Sequence, residues 1–199
     1  MRNFYIADTH FGHANVIKYD DRPFQDVEEM DAELIRRWNE RVSPGDTVHI
    51  LGDFIWKPPS RWNEIVPRLH GQKILLRGNH DPKALPAEVK KNLAGFMDYK
   101  KFRDGEYHVI MSHFPMLFYD RDYDKHTVML CGHVHTTGES ELLEQFSRTI
   151  RAYRDGARFV DRAQIYNVGC MMPWMNYAPR TLEEIINGKQ SYDLIRGGI

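Results

Sequence analysis

Five short stretches of this chain place side chains able to bind metal or move protons directly after apolar runs. Residues 73–76, Lys-Ile-Leu-Leu, lead through Arg77 into Gly78-Asn79-His80-Asp81. Residues 4–6 run into Asp8-Thr9-His10, residues 47–51 into Gly52-Asp53, residues 107–111 into Ser112-His113, and residues 127–131 into Gly132-His133-Val134-His135. Imidazoles, carboxylates and amide oxygens are donors for divalent metals, and imidazoles and carboxylates also relay protons. Taken alone, Gly78-Asn79-His80-Asp81 reads as readily as a polar turn, because Gly, Asn and Asp are common turn formers. Recurrence at the ends of five runs is what turn chemistry does not explain.

The elements that must position these residues follow from the runs themselves. Each run is short, rich in β-branched or aromatic residues and bounded by Gly, Pro or Asp, which reads as a buried strand. The donors then lie at the C-terminal ends of five strands, the edge at which layered α/β folds bind ligands. Helical spacing over residues 26–42 puts Met30, Leu34, Ile35 and Trp38 on one face, with Asp26 as N-cap and Glu28 and Glu29 in the first turn. A second helix after Pro58-Pro59-Ser60 carries Trp62, Ile65, Val66 and Leu69 and ends at Gly71, and a short one is expected within residues 86–93. Residues 99–111 read as a hairpin closed by Asp104-Gly105. A hairpin after βαβ units predicts a second sheet with antiparallel content. Residues 140–155 are helix-prone, a last strand is expected at 164–168, and residues 182–186 form a helix capped at Thr181.

Composition bounds the reading. A chain of 199 residues, 42% hydrophobic and 28% charged, is expected to be a single soluble domain over residues 1–199. The formal net charge of −1 supplies no basic field, so nucleic acid is not favoured as a partner. The first strand begins almost at Met1, no apolar run approaches membrane-spanning length, and Cys131 and Cys170 read as reduced core thiols. A cytoplasmic location without membrane contact is the expectation.

The ordered set Asp8-x-His10, Gly52-Asp53, Gly78-Asn79-His80-Asp81, His113 and Gly132-His133-x-His135 resembles the five blocks of the calcineurin-like metallophosphoesterases, in the manner of small single-domain bacterial or phage-type members. The blocks span residues 8–135. The resemblance implies an α/β fold, a four-layer αββα sandwich of two mixed β-sheets flanked by helices. It implies that Asp8, His10 and His135 hold one metal and Asn79, His113 and His133 the other, with Asp53 bridging both. His80 would be the catalytic histidine outside the ligand set, held by Asp81. The cofactors would be two divalent transition-metal ions, manganese foremost, with Fe, Zn, Ni or Co as alternatives.

Charge counting agrees with that assignment. Two divalent ions against the carboxylates of Asp8 and Asp53 leave +2, or +1 with a bridging hydroxide, a centre that attracts phosphate and acidifies water. The expected chemistry is in-line attack on phosphorus by metal-bridging hydroxide, with His80 stabilising developing charge or protonating the leaving oxygen. The substrate would be a phosphoester small molecule or nucleotide, a diester before a monoester because no large cap is present. A phosphomonoesterase or nucleotide phosphatase of the same fold, or a non-catalytic metal-binding scaffold, is the alternative. His13 and Arg77 are candidates to touch substrate phosphate, each weighed against a local structural contact. Lys57, Arg61, Lys83, Arg121 and Lys125 would lie in rim loops, and the cluster Met171, Met172, Trp174, Met175 and Tyr177 is expected to be core before it is a stacking wall.

Overall fold

Two four-stranded sheets carry the described part of the chain in a computed structural model, which describes residues 1–56, 58, 60–152 and 163–195. The first sheet has the order β1 (Asn3–Ile6), β2 (Thr47–Ile50), β3 (Gln72–Leu76), β4 (Gly95–Met97), all parallel. The second has the order β5 (Tyr99–Asp104), β6 (Tyr107–Ser112), β7 (Thr127–Cys131), β8 (Ile165–Asn167), with β5 antiparallel to β6 and the other pairs parallel. Mixed character therefore belongs to the second sheet, and in the first it is limited to an isolated antiparallel bridge between Tyr5 and Arg180.

Between the strands come α1 (Ala14–Tyr19), α2 (Val27–Arg41), α3 (Ser60–Ile65) running into a 3-10 turn at Val66–Arg68, α4 (Ala87–Lys90), α5 (Gly138–Ala152) and α6 (Leu182–Ile195). Period-two alternation separates the layers. On β6 and β7, Val109, Met111, Val128 and Leu130 join one core with Phe4, Ile6, Val48 and Ile50 of the first sheet. Their neighbours Ile110, Met129 and Cys131 face the other way, onto Leu143 of α5. Met30, Leu34 and Trp38 of α2 and Trp62 of α3 pack into the first core. The result is an α/β sandwich of two sheets flanked by helices.

Local chemistry explains the element ends. The Asp26 carboxylate accepts from Glu29 N at 2.8 Å while Glu29 accepts from Gln25 N at 2.6 Å, fixing the start of α2. Thr181 and Glu184 make the same reciprocal arrangement at the start of α6. That helix continues well past the expected residue 186. The three-residue β4 was not anticipated; it pairs with β3 from Ile74 to Leu76. No described helix is long and apolar enough to cross a membrane.

Candidate metal centre

All five apolar runs are strands, and each delivers its polar residues at its C-terminal end. The backbone there is contorted. Asp8 (φ 55°), His10 (φ 51°), Asp53 (φ 50°), His133 (φ 70°) and His135 (φ 44°) all adopt left-handed conformations. Such residues cost about 1–3 kcal/mol each and cluster where function requires a side chain to be aimed. Space is equally tight. A Cβ on Gly52 (φ 88°) would lie 2.3 Å from His113 Nδ1, so glycine is what lets the β2 loop pass beneath that ring.

Two groups of donors meet at one carboxylate. On one side, ligand atoms of Asp8, His10, Asp53 and His135 all lie within 4.8 Å of one another. His10 Nε2 is 3.4 Å from His135 Nε2 and 3.7 Å from Asp53 Oδ2, and His135 Nε2 is 3.7 Å from Asp8 Oδ1. On the other side, Asn79 Oδ1 is 2.8 Å from His113 Nε2 and 2.9 Å from His133 Nδ1. Asp53 Oδ2 is 3.6 Å from His113 Nε2, so this single oxygen faces both groups.

The donor set fits cations. His113 Nδ1 lies 2.8 Å from the Leu51 carbonyl, which can only accept, so Nε2 is the unprotonated nitrogen and turns its lone pair toward Asn79 Oδ1 and Asp53. His135 Nδ1 likewise donates to the Asp20 carboxylate at 2.7 Å and leaves Nε2 facing His10 and Asp8. Lone pairs thus converge with few protons between them. Burial resists supplying those protons to two of the rings, pushing His113 down to about 4 and lowering His10 further; at His135 burial opposes the proton too, but the Asp20 and Asp8 carboxylates outweigh it and raise the ring. Burial also pushes Asp8 up to about 7 and raises Asp53, with His135 and Arg22 offsetting only part of that cost at Asp8. A divalent ion in each group would satisfy both rings and carboxylates.

His80 stands beside this cluster, with a side chain 44% exposed and Nε2 4.0 Å from Asp53 Oδ2. Its ring packs against Trp56 at 5.1 Å and His10 at 5.7 Å. Asp81 does not hold that ring. Its buried carboxylate accepts from the backbone N–H of Gly78 (2.8 Å), Asp53 (2.9 Å) and Phe54 (3.0 Å). With both oxygens taken, Asp81 ties the β3 loop to the β2 loop. Its role is to place the backbone of Asp53 and of the Gly78-Asn79-His80 turn.

His13, at the N-terminus of α1, lies at the cluster, 5.5 Å from the His10 ring and stacked on Trp56 at 4.0 Å. Arg77 does not join it. Its guanidinium is committed to Asp98 at 2.8 Å, the surface ion pair weighed against a phosphate contact. Arg61 is bound to Asp31, and Arg121 contacts His108 and Asp124 at the opposite edge of the second sheet. Lys57 lies outside the described residues. Met171, Met172, Trp174 and Met175 are buried core.

Three participants escaped the sequence reading. Asp20 accepts the His135 Nδ1–H and pairs with Arg22 at 2.8 Å; burial opposes its ionisation, and those two partners overcome it and hold the carboxyl below its usual range. Phe114, 49% exposed, packs on His133 at 4.5 Å and forms an apolar lip. Trp56 props both His13 and His80. Asp20-Asp21-Arg22 looks like any charged turn, and its one signal is that it follows a helix start carrying His13.

The chain is 48% identical to an uncharacterised protein of Methanocaldococcus jannaschii over a stretch covering 41% of this chain and 48% of that protein, so the match spans about half of that relative's length. It is 27% identical to the gene 66 protein of Mycobacterium phage L5, covering 67% of this chain and 77% of that one. A solved structure of a protein of unknown function from Aquifex aeolicus shares the fold, with a TM-score of 0.64 at 23% identity over 93% of this chain and 97% of that one. A sequence profile of the calcineurin-like phosphoesterases matches residues 1–103, the half that contains Asp8, His10, Asp53, Asn79 and His80. With that match and the metal-ligand cluster at its strand ends, the chain belongs to the calcineurin-like phosphoesterase family.

Proposed function

We propose that residues 1–199 act as one two-metal phosphodiesterase, with Asp8, His10 and His135 holding one ion, Asn79, His113 and His133 the other, and Asp53 shared. The observation that carries this reading is the position of Asp53 Oδ2, 3.7 Å from His10 Nε2, 3.6 Å from His113 Nε2 and 4.0 Å from His80 Nε2. One carboxylate oxygen is the neighbour of both donor groups and of the proposed acid.

When bound, the two ions supply charge for the non-bridging phosphate oxygens and acidify water at the centre. The chain's own residues do the rest. Asp53 keeps the two halves in register, and its Oδ1 accepts from His80 N at 2.9 Å, which fixes where the His80 side chain starts. His80, propped by Trp56 and open to solvent, is free to give a proton from its ring to the leaving ester oxygen. His13, stacked on Trp56 and beside His10, is the nearer candidate for a phosphate contact. Asn79 and His80 are exposed and no cap covers them among the described residues, which suits a phosphate esterified on both sides. Nitrogen and oxygen donors with no thiolate suit Mn, Fe, Zn, Co or Ni alike, and manganese is the ion proposed first. The buried free thiols of Cys131 and Cys170 suit a reducing, cytoplasmic setting.

The test is metal-loaded protein assayed on bis-p-nitrophenyl phosphate and p-nitrophenyl phosphate, with Mn2+, Zn2+, Ni2+ and Fe2+ in turn. Diester hydrolysis exceeding monoester hydrolysis, and lost in His80→Ala, is the expected result. Monoester preference would favour the phosphomonoesterase alternative. Two bound ions with no hydrolysis by any metal would sink the broad-hydrolase reading and point to a narrow substrate or a binding role.

A further inference from the structure

The Asp20–Arg22 pair lies beneath the Asp8, His10 and His135 half of the metal centre, whereas beneath the other half the Asn79 turn rests on the lone carboxylate of Asp81, bonded to backbone and to no ligand side chain. The Arg22 guanidinium is fully buried and uses its fork four times. Nη1 donates to Thr9 O at 2.9 Å, Nη2 to Asp8 O at 2.8 Å, and Nε and Nη2 to Asp20 Oδ2 at 3.0 and 2.8 Å. The other Asp20 oxygen accepts the Nδ1–H of His135 at 2.7 Å. Asp8 and His10 follow β1 in the first sheet, whereas His135 follows β7 in the second. One buried pair thus grips two segments, bearing three of the proposed ligands, across the seam between two sheets.

Both contacts bear on geometry that the backbone would not keep by itself. Asp8 and His10 sit at φ 55° and 51°, and Arg22 secures the carbonyls of Asp8 and Thr9 between them. Asp20 fixes the tautomer and ring orientation of His135, itself at φ 44°. Because Arg22 balances Asp20, the pair orients without adding net charge to the centre. In the other half, His113 Nδ1 meets the Leu51 carbonyl, the exposed Phe114 ring packs on both His113 and His133, and the His133 N–H donates to the Asp8 carboxylate.

We propose that Asp20 and Arg22 are positioning residues dedicated to the Asp8, His10 and His135 half, so that this half binds its ion first and more tightly than the other. The inference rests on the two-metal reading above. Its test is titration of the metal-free full-length protein with Mn2+ by calorimetry, for the wild type and Asp20→Asn, with metal-free unfolding temperatures alongside. Asparagine keeps the size of the side chain but forfeits the charged acceptor. The expected result is two classes of Mn2+ site in the wild type, with only the tight class weakened, about 10- to 100-fold, in Asp20→Asn. Arg22→Lys, which loses the fork but keeps the charge, weakens the same class. Two equivalent sites in the wild type, or both classes weakened together with a lowered unfolding temperature, would overturn the inference and leave the two-metal centre standing. Undiminished tight binding in Asp20→Asn would overturn it too. No Mn2+ binding by the wild type would remove the metal-centre reading itself.

Discussion

On one side of Asp53, Asp8 and His10 are almost entirely buried and His135 is braced from behind by Asp20 and Arg22. On the other side, Asn79 is exposed, His133 is half-buried, and only His113 lies in the interior. The first half also carries the anionic carboxylate of Asp8 where the second has the neutral amide of Asn79, so the contrast is one of charge as well as of support and access. A rigid, closed half suits an ion that stays, and an open half suits an ion that exchanges its remaining ligands for substrate oxygens. Breaking the residues in turn separates these roles.

The largest effect is expected at the residue common to both halves. Asp53→Asn should lower hydrolysis by about 10³-fold or more and weaken both ions. An unaltered tight ion in that variant, measured by Mn2+ titration, would show that the carboxylate is not shared. His80→Ala should lose about 10²- to 10⁴-fold in turnover while both ions bind as before. The loss should grow as the leaving group becomes poorer, and equal losses on good and poor leaving groups would argue against a proton donor. Asn79→Ala should cost about 10- to 100-fold in affinity at the open half alone; loss of the tight ion instead would reverse the assignment of the halves.

Asp81→Ala concerns stability first. It leaves three buried N–H groups, those of Gly78, Asp53 and Phe54, without their acceptor, and should cost about 3 kcal/mol or more in urea unfolding of the metal-free chain. Full stability with lost turnover would return Asp81 to a role on His80. The smallest effect is remote from the centre. Burial between the sheets pushes His49 down from 6.5 to about 3. The unfolded chain therefore takes a proton that the folded chain refuses. The stability contributed by the neutral ring is complete above pH 6.5 and declines as pH falls toward 3. Between pH 7 and 5 this amounts to roughly 2 kcal/mol, which His49→Gln should abolish without changing either ion's affinity.

Much of this molecule was legible because strand ends and metal donors leave local marks. An apolar run that stops at Asp, His or Gly signals a strand and its outlet together, and five such runs gave both sheets and the residues clustered at their edge. The three residues of β4, Gly95–Met97, carry no alternation to detect. Direction of side chains was the other gap. Asp81 follows His80 directly, yet its carboxylate turns inward to backbone 27 and 28 positions away in sequence. Arg77 adjoins the donor turn and points to Asp98. Asp20 meets a histidine 115 positions away, a distance at which no pattern in a charged turn announces a partner.

The most direct test of a two-ion hydrolase with unlike halves is to add Mn2+ stepwise to metal-free protein while following bis-p-nitrophenyl phosphate hydrolysis. The account predicts almost no activity through the first equivalent, which fills the braced half, and a rise to full rate through the second. Full activity at one equivalent, or none after both have bound, would contradict it.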